Sequence, residues 1–273
     1  MRNVTKDNIT DVFLGYMGPD TDPRLREVMT SLVTHLHAFA REVQLTHAEW
    51  EVGLEFLEKS GLMCDDDRHE FVLMSDVLGL SSLVDLINSK PGGTSSSVLG
   101  PFHVSGAPDL PIGGDLRGDF KAPVLISEGV VKDVDGNPIE GASVDIWQTA
   151  PNGLYASQDD NQGTFSFHGI QTTGADGRYA FTSVKPVEYE VPTDGPIGQF
   201  FAACGRHAWR PSHLHFIIKA EGFRSLVTEV FPDDDPYLDQ EHPAGSFPDG
   251  YALSGKVDDP YLHVAFDLTL VRE

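Results

Sequence analysis

The chain is short of cysteine, of basic residues and of long apolar runs, and each shortage excludes something. Only two cysteines, Cys64 and Cys204, occur in 273 residues. That is too few for a disulfide scaffold, and free thiols in a reducing compartment are the simpler reading. Nineteen Lys and Arg face forty-two Asp and Glu, a formal net charge of −23. Phosphate recognition needs clustered cations, so nucleic acid and anionic membranes are excluded as partners. No stretch approaches the roughly 20 apolar residues that span a bilayer. The opening Met1-Arg2-Asn3-Val4-Thr5-Lys6-Asp7 has no apolar core of a leader peptide, so the expected location is the cytoplasm.

What is present falls into two compositional parts. Residues 1–90 read as helical. Asp22-Pro23 offers an N-cap and a first-turn proline, and Leu25, Val28, Met29, Leu32, Val33, Leu36, Phe39, Ala40 and Val43 then recur at helical spacing. Such a stripe is core or a dimer face. Thr46 and Glu49 form a capping box for a helix ending near Gly61. A short earlier helix carries Ile9, Val12, Phe13 and Tyr16, and one more helix is expected over Arg68 to Ile87. After Lys90-Pro91-Gly92-Gly93, residues 91–273 become short β-rich runs separated by turn pairs such as Asp135-Gly136 and Asp176-Gly177. The expected fold is α+β: an N-terminal helical domain followed by an all-β sandwich.

The chemistry is concentrated in Arg210-Pro211-Ser212-His213-Leu214-His215, which runs into the β-forming Phe216-Ile217-Ile218. Alternate residues of a strand share a face, so His213 and His215 lie side by side, as half of a metal site would. His35-Leu36-His37 is an internal control. In a helix, a step of two turns a side chain about 200°, so that pair cannot chelate together. The residues alone leave several readings open: two hydrogen-bonded histidines, a two-His-one-carboxylate iron site, or a zinc hydrolase. Neither histidine has a carboxylate close by in sequence, and no helical His-Glu-x-x-His is present. The acidic run Asp233-Asp234-Asp235 reads as a solvated turn, since it lacks the glycine and downstream Glu of a calcium loop.

The segments Gly141-Ala142-Ser143-Val144-Asp145-Ile146-Trp147-Gln148, Gly153-Leu154-Tyr155, Asp194-Gly195-Pro196 and Arg210 to Phe216 together resemble the intradiol ring-cleaving dioxygenases. The resemblance implies non-haem Fe(III) held by Tyr155, Tyr189, His213 and His215. It makes the β-rich part the catalytic domain, with a small aromatic diol or triol and O2 as reactants. It implies that Tyr189 also serves as a base, and that Arg210 stabilises negative charge developing on the ring. The pocket it implies is lined by Val98, Leu99, Gly100, Pro101 and Phe102, by Leu73 and Asp76 from the helical part, and by Val191 and Pro192. A carboxylate at Asp76 facing the ring wants a donor, which a third ring hydroxyl would supply. The branch resembled most is therefore the one acting on hydroxyquinol (benzene-1,2,4-triol). Catechol or chlorocatechol cleavage is the alternative, and a non-enzymatic β-sandwich binding module stands further off. The resemblance also implies a homodimer joined through the N-terminal helices, with a phospholipid between them. It assigns no role to Pro243-Ala244-Gly245-Ser246-Phe247-Pro248.

Overall fold

The computed structural model describes residues 3–65, 68–232, 235–238, 252–253 and 261–273. Asp233, Asp234 and the 243–248 segment lie outside the described residues. By compactness the chain divides into Met1–Glu58 and Lys59–Glu273. Composition changes later, near residue 90, because two helices group with the β-rich part.

In the first unit, α1 (Ile9–Leu14) packs with α2 (Pro23–Glu42). Asp22 caps α2 by accepting from Leu25 N at 2.9 Å, with Pro23 in its first turn. Thr46 and Glu49 bond reciprocally ahead of α3 (His47–Leu62), with Glu49 N donating to Thr46 Oγ1 and Thr46 N to Glu49 Oε2. Only Val33 of the α2 stripe is buried, while Leu25, Val28, Leu32, Leu36, Phe39 and Val43 are exposed in the single chain. His35 bonds the Ser31 carbonyl and His37 the Thr10 hydroxyl, so the helical pair diverges as expected.

The second unit begins with α4 (Glu70–Val77) and α5 (Leu80–Asn88). One helix was expected over this stretch. Gly79, at φ +73°, breaks it, because the left-handed conformation is easy for glycine and ends a helical run. The remaining elements are β1 (Gly114–Asp115), β2 (Val124–Asp133), β3 (Ser143–Trp147), β4 (His168–Thr172), β5 (Arg178–Val184), β6 (Tyr189–Glu190), α6 (Pro196–Cys204), β7 (Trp209–Arg210), β8 (Leu214–Lys219), β9 (Leu226–Pro232), β10 (Ala252–Leu253), β11 (Tyr261–Ala265) and β12 (Leu268–Leu270).

One sheet runs β1-β5-β2-β11, with β12 also on β2, and another runs β10-β9-β8-β3-β4. Their facing side chains form one core. Leu125, Val131, Tyr179, Phe181, Leu268 and Leu270 come from one side, and Val144, Ile146, Leu214, Phe216, Ile218 and Val230 from the other. This is the expected sandwich. In β8 the even-numbered residues fill that core, which turns His215 to the opposite face. Register aligns a row on this outer face: His168 opposes Trp147, Trp147 opposes His215, and His215 opposes Glu229. Among the described residues no helix is long and apolar enough to cross a membrane. Cys64 and Cys204 are both free and exposed.

Candidate functional site

Four side chains converge above the outer face of the β8 sheet. Tyr155 follows β3, entering from the turn closed by the Gly153 N to Ala150 O bond. Tyr189 lies in β6, held opposite Arg210 of β7. His213 immediately precedes β8. The Tyr155 hydroxyl is 2.9 Å from His215 Nε2, 3.3 Å from His213 Nε2 and 3.2 Å from the Tyr189 hydroxyl. The two Nε2 atoms are 3.0 Å apart. All four residues are buried.

These spacings are what an ion needs when it holds nitrogen and oxygen donors at about 2 Å, because its ligands then stand about 3 Å apart. His213 Nδ1 lies 2.8 Å from the Pro211 carbonyl, which fixes the tautomer that leaves Nε2 a lone pair. Burial lowers His213 to about 4, with the Arg210 charge adding to the effect, so the imidazole is neutral as a ligand must be. Burial and the neighbouring His213 lower His215 too. Burial raises the Tyr155 phenol well above its ordinary value, as does the adjacent Tyr189, and burial raises Tyr189. Two such phenols ionise only beside a strong cation, so the donor set fits a hard, highly charged metal ion.

Arg210 is buried and ion-paired with Glu229. One guanidinium nitrogen donates to both carboxylate oxygens at 3.0 and 3.1 Å, and another to the Tyr189 hydroxyl at 3.3 Å. Sequence reasoning missed Glu229. Its Oε1 lies 3.4 Å from both His213 Nε2 and His215 Nδ1, and Oε2 accepts from the Ser97 hydroxyl at 2.6 Å. Burial raises the Glu229 carboxyl, but the Arg210 charge and these hydrogen bonds outweigh it and hold it below the usual range. No carboxylate stands close to the histidines in sequence, but β9 supplies one across the sheet. The available signal was an acid inside Leu226-Val227-Thr228-Glu229-Val230-Phe231, since a charge in an apolar strand needs a partner. Asp235, from the acidic run, accepts from Ser212 N at 2.7 Å and so ties the segment before His213.

The expected pocket residues divide. Phe102 stacks on Tyr155 with ring centroids 4.9 Å apart. Gly100 has φ +74°, and a Cβ there would stand 3.6 Å from the His215 ring, so a glycine turn brings this loop against the site. Val98, Pro101, Leu73 and Val191 are buried, Pro192 is half-buried and Leu99 is exposed. Asp76 is only 2 % exposed. Burial pushes its carboxyl up to about 6, and the Ser81 hydroxyl and the Arg210 charge pull the other way. It is therefore mostly ionised at neutral pH. Trp147, quoted in the sequence motif without a role, stacks flat on His215 at 4.5 Å and 1°.

The family models agree with this geometry. One described as "Dioxygenase" matches residues 114–257, and one described as "Catechol dioxygenase N terminus" matches residues 22–93. The chain belongs to the intradiol dioxygenase family. It is an oxidative ring-cleaving enzyme, and members of this family act on aromatic diols or triols with O2 and are typically iron-dependent. A 6-chlorohydroxyquinol 1,2-dioxygenase of Cupriavidus pinatubonensis is 44% identical over 243 residues, covering 88% of each chain. A hydroxyquinol 1,2-dioxygenase of a Rhizobium species is 46% identical over 80% of this chain and 75% of its own. Among solved structures, hydroxyquinol 1,2-dioxygenase from Pseudomonas putida DLL-E4 superposes with a TM-score of 0.88 at 38% identity, covering 98% of this chain and 99% of that one. The catechol 1,2-dioxygenase of Acinetobacter radioresistens gives 0.85 at 28% identity, covering 100% and 95%.

Proposed function

We propose that this chain is an Fe(III) intradiol dioxygenase that opens hydroxyquinol to 3-hydroxy-cis,cis-muconate, the enol form of maleylacetate. The observation that carries the reading is the convergence of two phenols and two imidazoles within 3.3 Å. Tyr155, Tyr189, His213 and His215 would hold the ion. Two phenolates with one hydroxide balance a trivalent charge, which neutral imidazoles alone could not. When bound, Fe(III) supplies a Lewis acid and a template for the two adjacent ring oxygens, making the ring reactive toward O2.

The protein's own residues do the rest. Tyr189, as the phenolate that the ion would stabilise, would take a proton from the docking diol and become the neutral phenol. Arg210, fixed by Glu229 beside Tyr189, offers permanent positive charge to the electron-rich ring. Phe102 provides an apolar wall over Tyr155, with the 98–102 loop, Leu73, Val191 and Pro192 as further lining. Iron analysis tests the ligand set. His213→Ala or His215→Ala should weaken iron binding by more than about 100-fold, beyond the cost of losing a supporting partner. His35→Ala and His37→Ala should keep full iron, and full occupancy in both strand variants would refute the assignment.

Hydroxyquinol is preferred over catechol because of Asp76. A buried, ionised carboxylate accepts a charge-assisted bond from the third hydroxyl, typically about 1.5–3 kcal/mol, while catechol leaves it short of a donor. The resulting preference is roughly tenfold to a few hundredfold in kcat/KM. Ring-opening rates on both substrates test the reading, and faster turnover of catechol overturns it. Asp76→Ala should shrink the ratio and leave iron content unchanged, and an unaltered ratio would remove Asp76 from substrate choice. The exposed stripe on α2 supports a homodimer through the N-terminal helices, and a phospholipid between them is what the family resemblance implies.

A further inference from the structure

A second group of metal-ligating side chains lies one strand away from the iron pocket, on the same outer face. His103 Nε2 is 3.0 Å from Asp145 Oδ2, and His168 Nε2 is 2.7 Å from Asp145 Oδ1. One ligand atom from each residue falls within 4.8 Å of the others. Asp145 is two residues before Trp147 on β3, and His168 opposes Trp147 from β4. The indole therefore separates the two clusters. It stacks on His215 at 4.5 Å and meets the His103 ring at 4.7 Å and the His168 ring at 5.9 Å.

We propose that His103, Asp145 and His168 form a second metal site, selective for zinc or a similar borderline divalent cation, that clamps Trp147 against His215. The donor set is two imidazoles and one carboxylate, which suits zinc with its fourth position open to water. Ligands at about 2.0–2.1 Å in a tetrahedron stand roughly 3.3 Å apart. The imidazole nitrogens stand 3.0 Å from one carboxylate oxygen and 2.7 Å from the other, so seating an ion opens the cluster by roughly 0.3–0.6 Å. Both imidazoles present Nε2 to one carboxylate. In the loaded site each ring gives its Nε2 lone pair to the ion and keeps its N–H on Nδ1.

The site is partly open: the side chains of His103 and Asp145 are each 14% exposed, and that of His168 is 6% exposed. His168 also lines a cavity of about 700 Å³ whose wall includes Asp109, Asp115 and Asp119, with Arg117 held by Asp115. A strongly acidic chain with an acidic cavity beside the cluster concentrates cations at its mouth. Phe167, the residue that delivers His168, is buried with φ +55°. A bulky side chain keeps that left-handed conformation only where its surroundings fix it, so the placement of His168 is imposed.

The proposal does not depend on the identity of the aromatic substrate. Its test is equilibrium dialysis of the iron-loaded protein against micromolar zinc, with zinc and iron counted together. One zinc per chain should be retained while iron stays constant. His103→Gln and His168→Gln should each weaken zinc binding by about tenfold or more, with iron unchanged, and His35→Gln should have no effect. Should either variant misfold by circular dichroism, Asp145→Asn removes the anionic ligand and gives the same reading. Zinc that is not retained, that enters only as iron leaves, or that binds these variants as tightly as the parent overturns the site.

Discussion

Replacing Tyr155 with phenylalanine should bleach the protein and stop its turnover. The Tyr155 hydroxyl is the hub of the cluster, within 3.3 Å of the other three donors. Phenolate bound to Fe(III) gives a strong visible charge-transfer band, so most of the red-to-purple colour should vanish with this oxygen. Activity should fall by at least about 100-fold, the most that loss of a supporting partner alone would cost. The phenyl ring of Tyr155→Phe still fills the place stacked on Phe102, so the fold should survive and thermal melting should move little. Visible spectra and oxygen uptake check this, and a variant with the parent's colour and rate would rule Tyr155 out as a ligand.

Arg210 should show two separable effects. Removing it strands the Glu229 carboxylate, which is 1% exposed. Breaking a buried pair from one side costs about 3–5 kcal/mol, so Arg210→Ala should melt well below the parent. Arg210→Lys keeps the charge but loses the planar fork that reaches Glu229 and Tyr189 together. It should bind the diol and change colour on binding, yet turn over about 10²–10³-fold more slowly, the usual cost of losing an aimed charge donor. Rapid mixing of the diol complex with oxygen separates these steps. An unchanged rate in Arg210→Lys would leave Arg210 with a structural role alone.

Local rules read the sequence well where the signal was local. The Asp22-Pro23 start, the Thr46–Glu49 box and the contrast between His35/His37 and His213/His215 each depend on a few neighbouring residues, and backbone periodicity settles them. One departure came from a short-range break: Gly79 divides the expected helix into α4 and α5. In β2, Gly129 lets the Phe266 carbonyl pass where a Cβ would collide with it. β4 and α6 escaped notice. His168-Gly169-Ile170-Gln171-Thr172 is short and carries few β-formers, and α6 is apolar on nearly every side.

The larger omission was long-range. Glu229, Trp147 and His168 acquire meaning only when the β4-β3-β8-β9 register sets them in a row with His215. No spacing along the chain reveals that row, because strand order is a property of the sheet. The α2 stripe was legible as an apolar face, whereas what covers it is a matter beyond one chain's own packing.

The central claim is that this site opens an aromatic ring between two adjacent hydroxyls using both atoms of O2. Turnover of hydroxyquinol under ¹⁸O₂, followed by mass spectrometry of the ring-opened acid, tests it most directly. The account predicts 3-hydroxymuconate carrying two ¹⁸O atoms, one in each new carboxyl group. An aldehyde-containing product from cleavage beside the diol, a product with no ¹⁸O, or intact hydroxyquinol would contradict it.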